Sequence, residues 1–236
     1  MKKLILTITA LLTLTIAHGQ KTEYRISLNS GLFSFAGQSA HETSFINFND
    51  QTKSGYTNNP YGSKNGLCYG VSGNIQRVTK RNFILGFDLG YEILRSKISI
   101  VGIDGSTETS TYSYSATGQT FLNNKFMNIH PFFGYRIIEK PIILDITGGI
   151  DYAYCFKANE VGHATDSNGI KYETSRDRNT IKSEVRPRIQ ISMDYKKFGS
   201  YFGYSYGLKN YMSGYLGGIW ESYARLFRFG LTYQIK

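Results

Sequence analysis

The stretch that decides the fold is Phe83–Ile93, F-I-L-G-F-D-L-G-Y-E-I. Phe83, Leu85, Phe87, Leu89, Tyr91 and Ile93 share one face of an extended chain, and Ile84, Gly86, Asp88, Gly90 and Glu92 share the other. Successive side chains of a strand point to opposite sides, so period two over this length predicts a strand with one apolar and one polar or small face.

Working outward, the same alternation recurs in seven more places. Tyr24, Ile26, Leu28 and Leu32 oppose Arg25, Ser27, Asn29 and Gly31, and Leu67, Tyr69, Val71 and Ile75 oppose Cys68, Gly70, Ser72 and Asn74. Met127, Ile129, Phe133, Tyr135 and Ile137 oppose Asn128, His130, Gly134 and Arg136. The pattern holds again over Ile142–Phe156, with Asp145 and Asp151 on the polar side, and over Val185–Tyr195, with Arg186, Arg188 and Asp194 there. Phe202–Leu208 and Tyr223–Ile235 complete a set of about eight strands, each near the nine to eleven residues that a tilted membrane strand needs.

The connections separate a membrane barrel from a soluble sandwich. Long polar stretches (Ala36–Gly66, Ile100–Lys125, Lys157–Ser183 and the intermediate Asn210–Glu221) alternate with tight ones at Thr79–Asn82, Glu139–Pro141 and Lys196–Lys197. Long extracellular loops and short periplasmic turns have this asymmetry. The fold class expected is therefore all-β, a transmembrane antiparallel up-and-down barrel in the cell outer membrane. Asp104-Gly105 and Asn168-Gly169 predict hairpin turns that would carry strands beyond the membrane. Pro131 and Pro187 fall inside proposed strands, where a closed barrel has no edge to accommodate a missing N–H, and predict bulge or strand-start positions.

Composition agrees with the pattern. The 236 residues include 19 Tyr, 15 Phe and 25 Gly against 4 Pro, a β-rich balance. Lys2 and Lys3, the apolar Leu4–Ile16 and the small-residue site Ala17-His18-Gly19 form a secretory signal. The expected domains are a cleaved signal peptide at 1–19 and a barrel domain at 20–236. The net charge is +10, without the dense Lys/Arg cluster of a nucleic-acid binder. It is assigned instead to solvated loops and the barrel interior, with attraction to lipopolysaccharide phosphates as the functional alternative.

Arg25, Asp88, Glu92, His130, Arg136, Asp145, Asp151, Arg186, Arg188, Asp194 and Arg228 all lie on the inner face in this register. An eight-stranded barrel is just wide enough to be filled by side chains, and buried charges must pair. They predict a salt-bridged polar plug in preference to a solute path. Cys68 and Cys155 face inward on non-adjacent strands and predict free thiols. His163 with Asp166 and Ser167 is too turn-like for a catalytic triad, and Asp166–Gly169 reads as a turn before it reads as part of a calcium loop. Tyr24, Phe83, Tyr135, Tyr195, Phe198 and Tyr233 predict one aromatic girdle, and Tyr69, Tyr91, Tyr154, Phe156, Tyr211 and Tyr223 the other.

On the last strand, Arg228, Gly230, Tyr233 and Ile235 follow the spacing of the signal that barrel assembly machinery reads, although the chain ends on Lys236 in place of an aromatic. With this signal and the segment Ile129-His130-Pro131-Phe132-Phe133-Gly134-Tyr135, the mature chain resembles the outer-membrane protein β-barrel domain family of OmpA-like and PorT-like small barrels. That resemblance implies a shared architecture without one shared activity. The function expected is a non-enzymatic barrel with a structural, adhesive or interaction role through its extracellular loops. A small channel or transporter is the alternative, and a lipid A-modifying enzyme ranks below it. No catalytic, cofactor or metal residues are assigned and no nucleic-acid partner is expected. The partners expected are outer-membrane lipid or lipopolysaccharide, the barrel assembly machinery, and an extracellular or periplasmic protein, with the chain itself a monomer.

Overall fold

The structure is a computed structural model that describes residues 21–139, 141–215 and 217–235; the signal-peptide reading of residues 1–19 lies outside them. The strands are β1 (Lys21–Ala36), β2 (Thr43–Asn49), β3 (Ser54–Thr57), β4 (Lys64–Val78), β5 (Phe83–Ser106), β6 (Thr111–Glu139), β7 (Ile142–Asp166), β8 (Lys171–Asp177), β9 (Ser183–Tyr195), β10 (Phe198–Tyr206) and β11 (Tyr223–Gln234).

Eight of them, β1, β4, β5, β6, β7, β9, β10 and β11, pair antiparallel around a closed ring. The ladder of β1 against β11, from Arg25↔Gln234 to Ala36↔Tyr223, joins the first strand to the last. Polarity is inverted relative to a soluble barrel: Phe133 and Phe198 are 70% exposed on the outside, whereas Asp151 and Arg186 inside are 0% exposed. Along β6 the outward residues run from Met127 to Ile137, ten residues apart. At ~3.3 Å per residue and a tilt of ~40°, they cover ~25 Å of height, the apolar band of a transmembrane barrel.

Above the band, β5, β6 and β7 continue out of the ring. In the first long connection β2 pairs parallel with the upper half of β5, and β3 turns back antiparallel on β2; β8 folds back on β7. The result is a curved sheet of six strands, β3-β2-β5-β6-β7-β8. It has its own core of Ile46, Ile98, Ile100, Ile103, Ala164 and Tyr172. Its two edges meet at a seam held by side chains: Thr57 N–H donates to Glu160 at 2.9 Å, Arg178 Nε donates to Glu160 at 2.7 Å, and Arg178 also bonds the Thr57 carbonyl. We refer to this sheet as the tower.

Four sequence expectations change. Asp104-Gly105 is strand, not turn: both residues are held in the β2–β5 and β5–β6 ladders, and the reversal falls at Thr107–Ser110, closed by Thr107 N–H to Ser110 O at 2.9 Å. Gly105 serves a different purpose, since a Cβ there would collide with the Tyr112 ring. Pro131 is neither bulge nor strand start. The β6–β7 register is the same on both sides of it, Ile129↔Tyr152 and Phe132↔Gly149, and the ladder merely skips His130 and Pro131. Gly149 permits this close passage, because a Cβ there would strike the Pro131 carbonyl. Tyr211 belongs to no girdle; it is buried in the barrel mouth. Pro187 is also neither bulge nor strand start: it is the fifth residue of β9, opposite Ile150 in an unshifted β7–β9 register and one residue past the last β9–β10 pair, Arg188↔Ser205. Asn168-Gly169 is the turn between β7 and β8, with Gly169 at φ +84°.

Replacing Leu89, outward on β5 and half exposed, by Arg is expected to lower barrel stability by ~2–4 kcal/mol. Replacing the lumen-facing Gln190 by Glu, whose carboxylate would accept from Arg188, is expected to cost less. Urea unfolding in lipid vesicles measures the difference.

Candidate functional site

Ring closure directs the alternate side chains of every strand into one narrow space. All eleven of the inner-face residues named from the sequence are buried there, none more than 9% exposed. They form two knots. In the lower knot Arg136 is bidentate to two carboxylates, with Nη1 and Nη2 donating to Glu23 at 2.8 Å and Nε donating to Asp145 at 2.7 Å. Arg25 bonds Glu23 and Asp194, both at 2.9 Å, and Gln76 Nε2 donates to Glu23 at 2.9 Å. Planar guanidinium forks of this kind give the strongest charge-assisted hydrogen bonds.

In the upper knot Glu92 accepts from Arg228 at 2.5 Å and from Arg186, and Asp151 accepts from Arg228 at 3.1 Å and Arg188 at 3.3 Å. Asp88 pairs with His130 Nδ1 at 3.0 Å and lies 3.5 Å from Arg188. These bonds cross the lumen between strands that share no ladder, such as β5 and β11. Glu23, the acid at the centre of the lower knot, falls one residue before the alternation that starts at Tyr24 and so is absent from the inner-face set. It stands two residues before Arg25, on the same face, so the alternation itself could have found it.

Above the knots an apolar layer closes the mouth. Phe33, Phe35, Leu94, Leu122, Phe126 and Leu226 come from the wall, and Tyr61, Ile181, Tyr211 and Met212 come from loops folded into the opening. Phe35 packs edge-to-face with Tyr61 and Tyr211, at centroid distances of 5.2 and 4.8 Å. Tyr211 O–H donates to Glu184 at 2.9 Å and so ties the cap to the polar layer below. Burial pushes the Tyr61 phenol up to about 12, so the cap is uncharged at neutral pH. Inside the ring a polar cavity of about 30 Å³ stands beside Arg25, Asp88 and His130, room for a water or two.

The other residues singled out from sequence lie apart. Cys68 and Cys155 are free thiols within the apolar layer. His163 is exposed on β7, while Asp166 points to the opposite face and caps its own turn, accepting from Asn168 N–H at 2.9 Å and Ile170 N–H at 2.8 Å. Of the four terminal-strand residues, Arg228 is in the upper knot, Gly230 packs against Tyr201 across from Asn29, Tyr233 is outward, and Ile235 bonds Tyr24 just past the end of β11. Among the described residues no group of three His, Cys, Asp or Glu is placed to hold a metal ion.

The tower carries a cleft of about 960 Å³. Asn47, Asn49, Tyr56, Asp104, Tyr112 and Arg176 line it. Arg176 stacks over Tyr56, 5.2 Å from the ring centre, and Ser113 donates to Asp104 at 2.7 Å. The cleft offers amide, carboxylate, hydroxyl and aromatic faces on strands fixed by a core, the chemistry of a recognition site without an evident nucleophile–base pair.

No family model and no curated protein matches the chain. Among solved structures it is similar to Ail, the attachment invasion locus protein of Yersinia pestis, in complex with the heparin analogue sucrose octasulfate (TM-score 0.35, 10% identity, 93% of this chain and 100% of that one). It is also similar to Neisserial surface protein A (TM-score 0.37, 6% identity, 92% and 99%) and to the translocator domain of the autotransporter NalP from Neisseria meningitidis (TM-score 0.24, 11% identity, 98% and 95%).

Replacing Arg136 by Ala leaves Glu23 and Asp145 with Arg25 alone between them, 2.9 and 3.5 Å away and already shared with Asp194. The expected loss is ~3–5 kcal/mol of barrel stability, read by urea titration. The double variant R136M/D145L should recover part of it.

Proposed function

We propose that this chain is a non-enzymatic outer-membrane barrel whose tower faces out of the cell and binds a partner there. One observation carries the reading: three ring strands run on beyond the apolar band to build a cored platform bearing a polar, aromatic-lined cleft, while the ring itself is filled by ion knots and capped. A site displayed on rigid strands suits recognition, and a filled lumen does not suit transport.

In this reading the signal peptide at 1–19 is removed on export and the mature chain inserts as a monomer. Arg228, Gly230, Tyr233 and Ile235 present the terminal strand to the assembly machinery, and the barrel takes its place among small OmpA-like and PorT-like envelope barrels. The short turns with Lys80, Arg81, Lys196 and Lys197 then face the periplasm.

Two measurements test it. Purified protein in planar bilayers should show no stable single-channel conductance, and a cysteine introduced at Lys53 in the β2–β3 tip should label on intact cells with a membrane-impermeant maleimide. Steady conductance overturns the filled lumen, and labelling only after the outer membrane is permeabilised overturns the orientation.

A further inference from the structure

Five basic residues gather on the outer surface just where the apolar band ends. On β5 the outward series Leu89, Tyr91, Ile93 continues into Arg95 and Lys97; on β6, Ile129 and Met127 lead to Lys125; on β7, Tyr154 and Phe156 lead to Lys157; and on β4, Tyr69 and Leu67 lead to Lys64. The row is one-sided. At the same level β10 and β11 present Tyr204, Tyr206, Tyr223 and Arg225, and that arginine is engaged by Ser34 at 3.0 Å.

The register makes this row unusual. Lys64 lies directly across from Lys97, and Lys125 directly across from Lys157. Directly opposed like charges on one face of an antiparallel pair repel, each such pair costing stability where opposite charges would add it. Among the described residues the row has one ion pair, Lys157 with Asp177 at 3.3 Å, and that carboxylate is largely exposed. Lys64 bonds the Ser99 hydroxyl at 2.8 Å, and Arg95 bonds the Asn123 amide oxygen at 2.8 Å and lies 5.1 Å over the Phe121 ring. Two opposed lysine pairs facing outward, in which Lys157 alone among the described residues has a counterion, form an incomplete electrostatic arrangement, and it stands at the depth where lipid headgroups lie.

We infer that this row is a seat for a lipid whose headgroup carries two phosphates, one at Lys64–Lys97 and one at Lys125–Lys157, with Arg95 between them. Lys97 and Lys125 are one strand and four residues apart in the ladder, which sees Ile93 opposite Lys125; at ~3.4 Å per residue the pairs are ~14 Å apart along the strands, too far for one phosphate. The acyl chains of such a lipid would lie against Leu67, Tyr91, Met127 and Phe156, and its headgroup against the polar outer wall of the tower. Phosphate at each pair would turn repulsion into charge-assisted bonding. The inference rests on the outward orientation proposed above, which places the row in the leaflet where bisphosphorylated glycolipid of the lipid A type resides.

The test is native mass spectrometry of the full-length mature chain in detergent, titrated with bisphosphorylated lipid A, its monophosphorylated form and phosphatidylethanolamine. The bisphosphorylated lipid should be retained at least tenfold better than the monophosphorylated one and much better than phosphatidylethanolamine. K97Q/K125Q should weaken that retention about thirtyfold, equivalent to ~2 kcal/mol at roughly 1 kcal/mol per lysine, while R225Q should leave it unchanged. Heat-modifiable gel mobility reports whether each variant has folded, and the two-lipid comparison on the native chain decides even if K97Q/K125Q does not fold. Equal retention of the two lipid A forms, or a folded K97Q/K125Q that retains lipid as well as the native chain, overturns the seat. The orientation is read separately by the Lys53 labelling, so its failure is distinct from failure of the seat.

Discussion

Everything in this structure depends on the closed backbone ladder. Hydrocarbon offers no partner for a peptide N–H or C=O, so a strand enters it only if both neighbours satisfy its backbone, and that condition is met all round only when the first strand pairs with the last. The β1–β11 register supplies the closure. Once the ring is shut, alternation leaves each side chain two destinations, lipid or lumen. Carbon-rich side chains go outward, and the strand charges at the depth of the apolar band are forced into a space with almost no water.

That confinement explains why the interior is built from arginines and carboxylates in contact and not from isolated polar groups. A charge removed from water is tolerable when its hydrogen bonds are made in good geometry, and the fork of Arg136 between Glu23 and Asp145 meets that condition. The bonds also do mechanical work, joining strands across the lumen that the ladder leaves unconnected. Stacked on this polar layer are two apolar ones, the cap in the barrel mouth and the core of the tower. The ends of β5, β6 and β7 are thus held by packing on their inner side up to their tips, and the cleft-bearing surface inherits the rigidity of the ring.

How much of this was legible in the sequence follows from the range of the interactions. The eight ring strands and the inner-face charges were readable because period two is a local signal, visible in runs such as Phe83–Ile93 without any knowledge of partners. The tower was not. Thr43–Asn49 has some alternation, but its pairing with β5 is parallel and joins residues more than fifty positions apart, which no local pattern announces. Asp104-Gly105 misled for the same reason: its turn chemistry is real, yet Tyr112 needs the missing Cβ of Gly105 and two neighbouring strands hold the segment extended. Tyr211 resembled a girdle residue by type and position, and only the fold of its loop into the mouth brings it to Glu184.

The charge balance also takes on a different meaning once positions are known. The inner face of the ring holds five arginines (25, 136, 186, 188 and 228) against seven carboxylates, the six already placed in the knots and Glu184. The interior is therefore formally acidic, and among the described residues the positive excess of this basic chain lies on the rims, turns, loops and tower. Like charges confined to a rim repel one another unless something screens them. At the turn end the lysines and arginines project into water, where screening is effective. At the other end Lys64, Arg95, Lys97 and Lys125 sit on packed strands against the apolar band, with ladder partners fixing how far apart they can move. The same rigidity that serves the tower denies these side chains the freedom to disperse, so an anion becomes the means by which that part of the surface is stabilised.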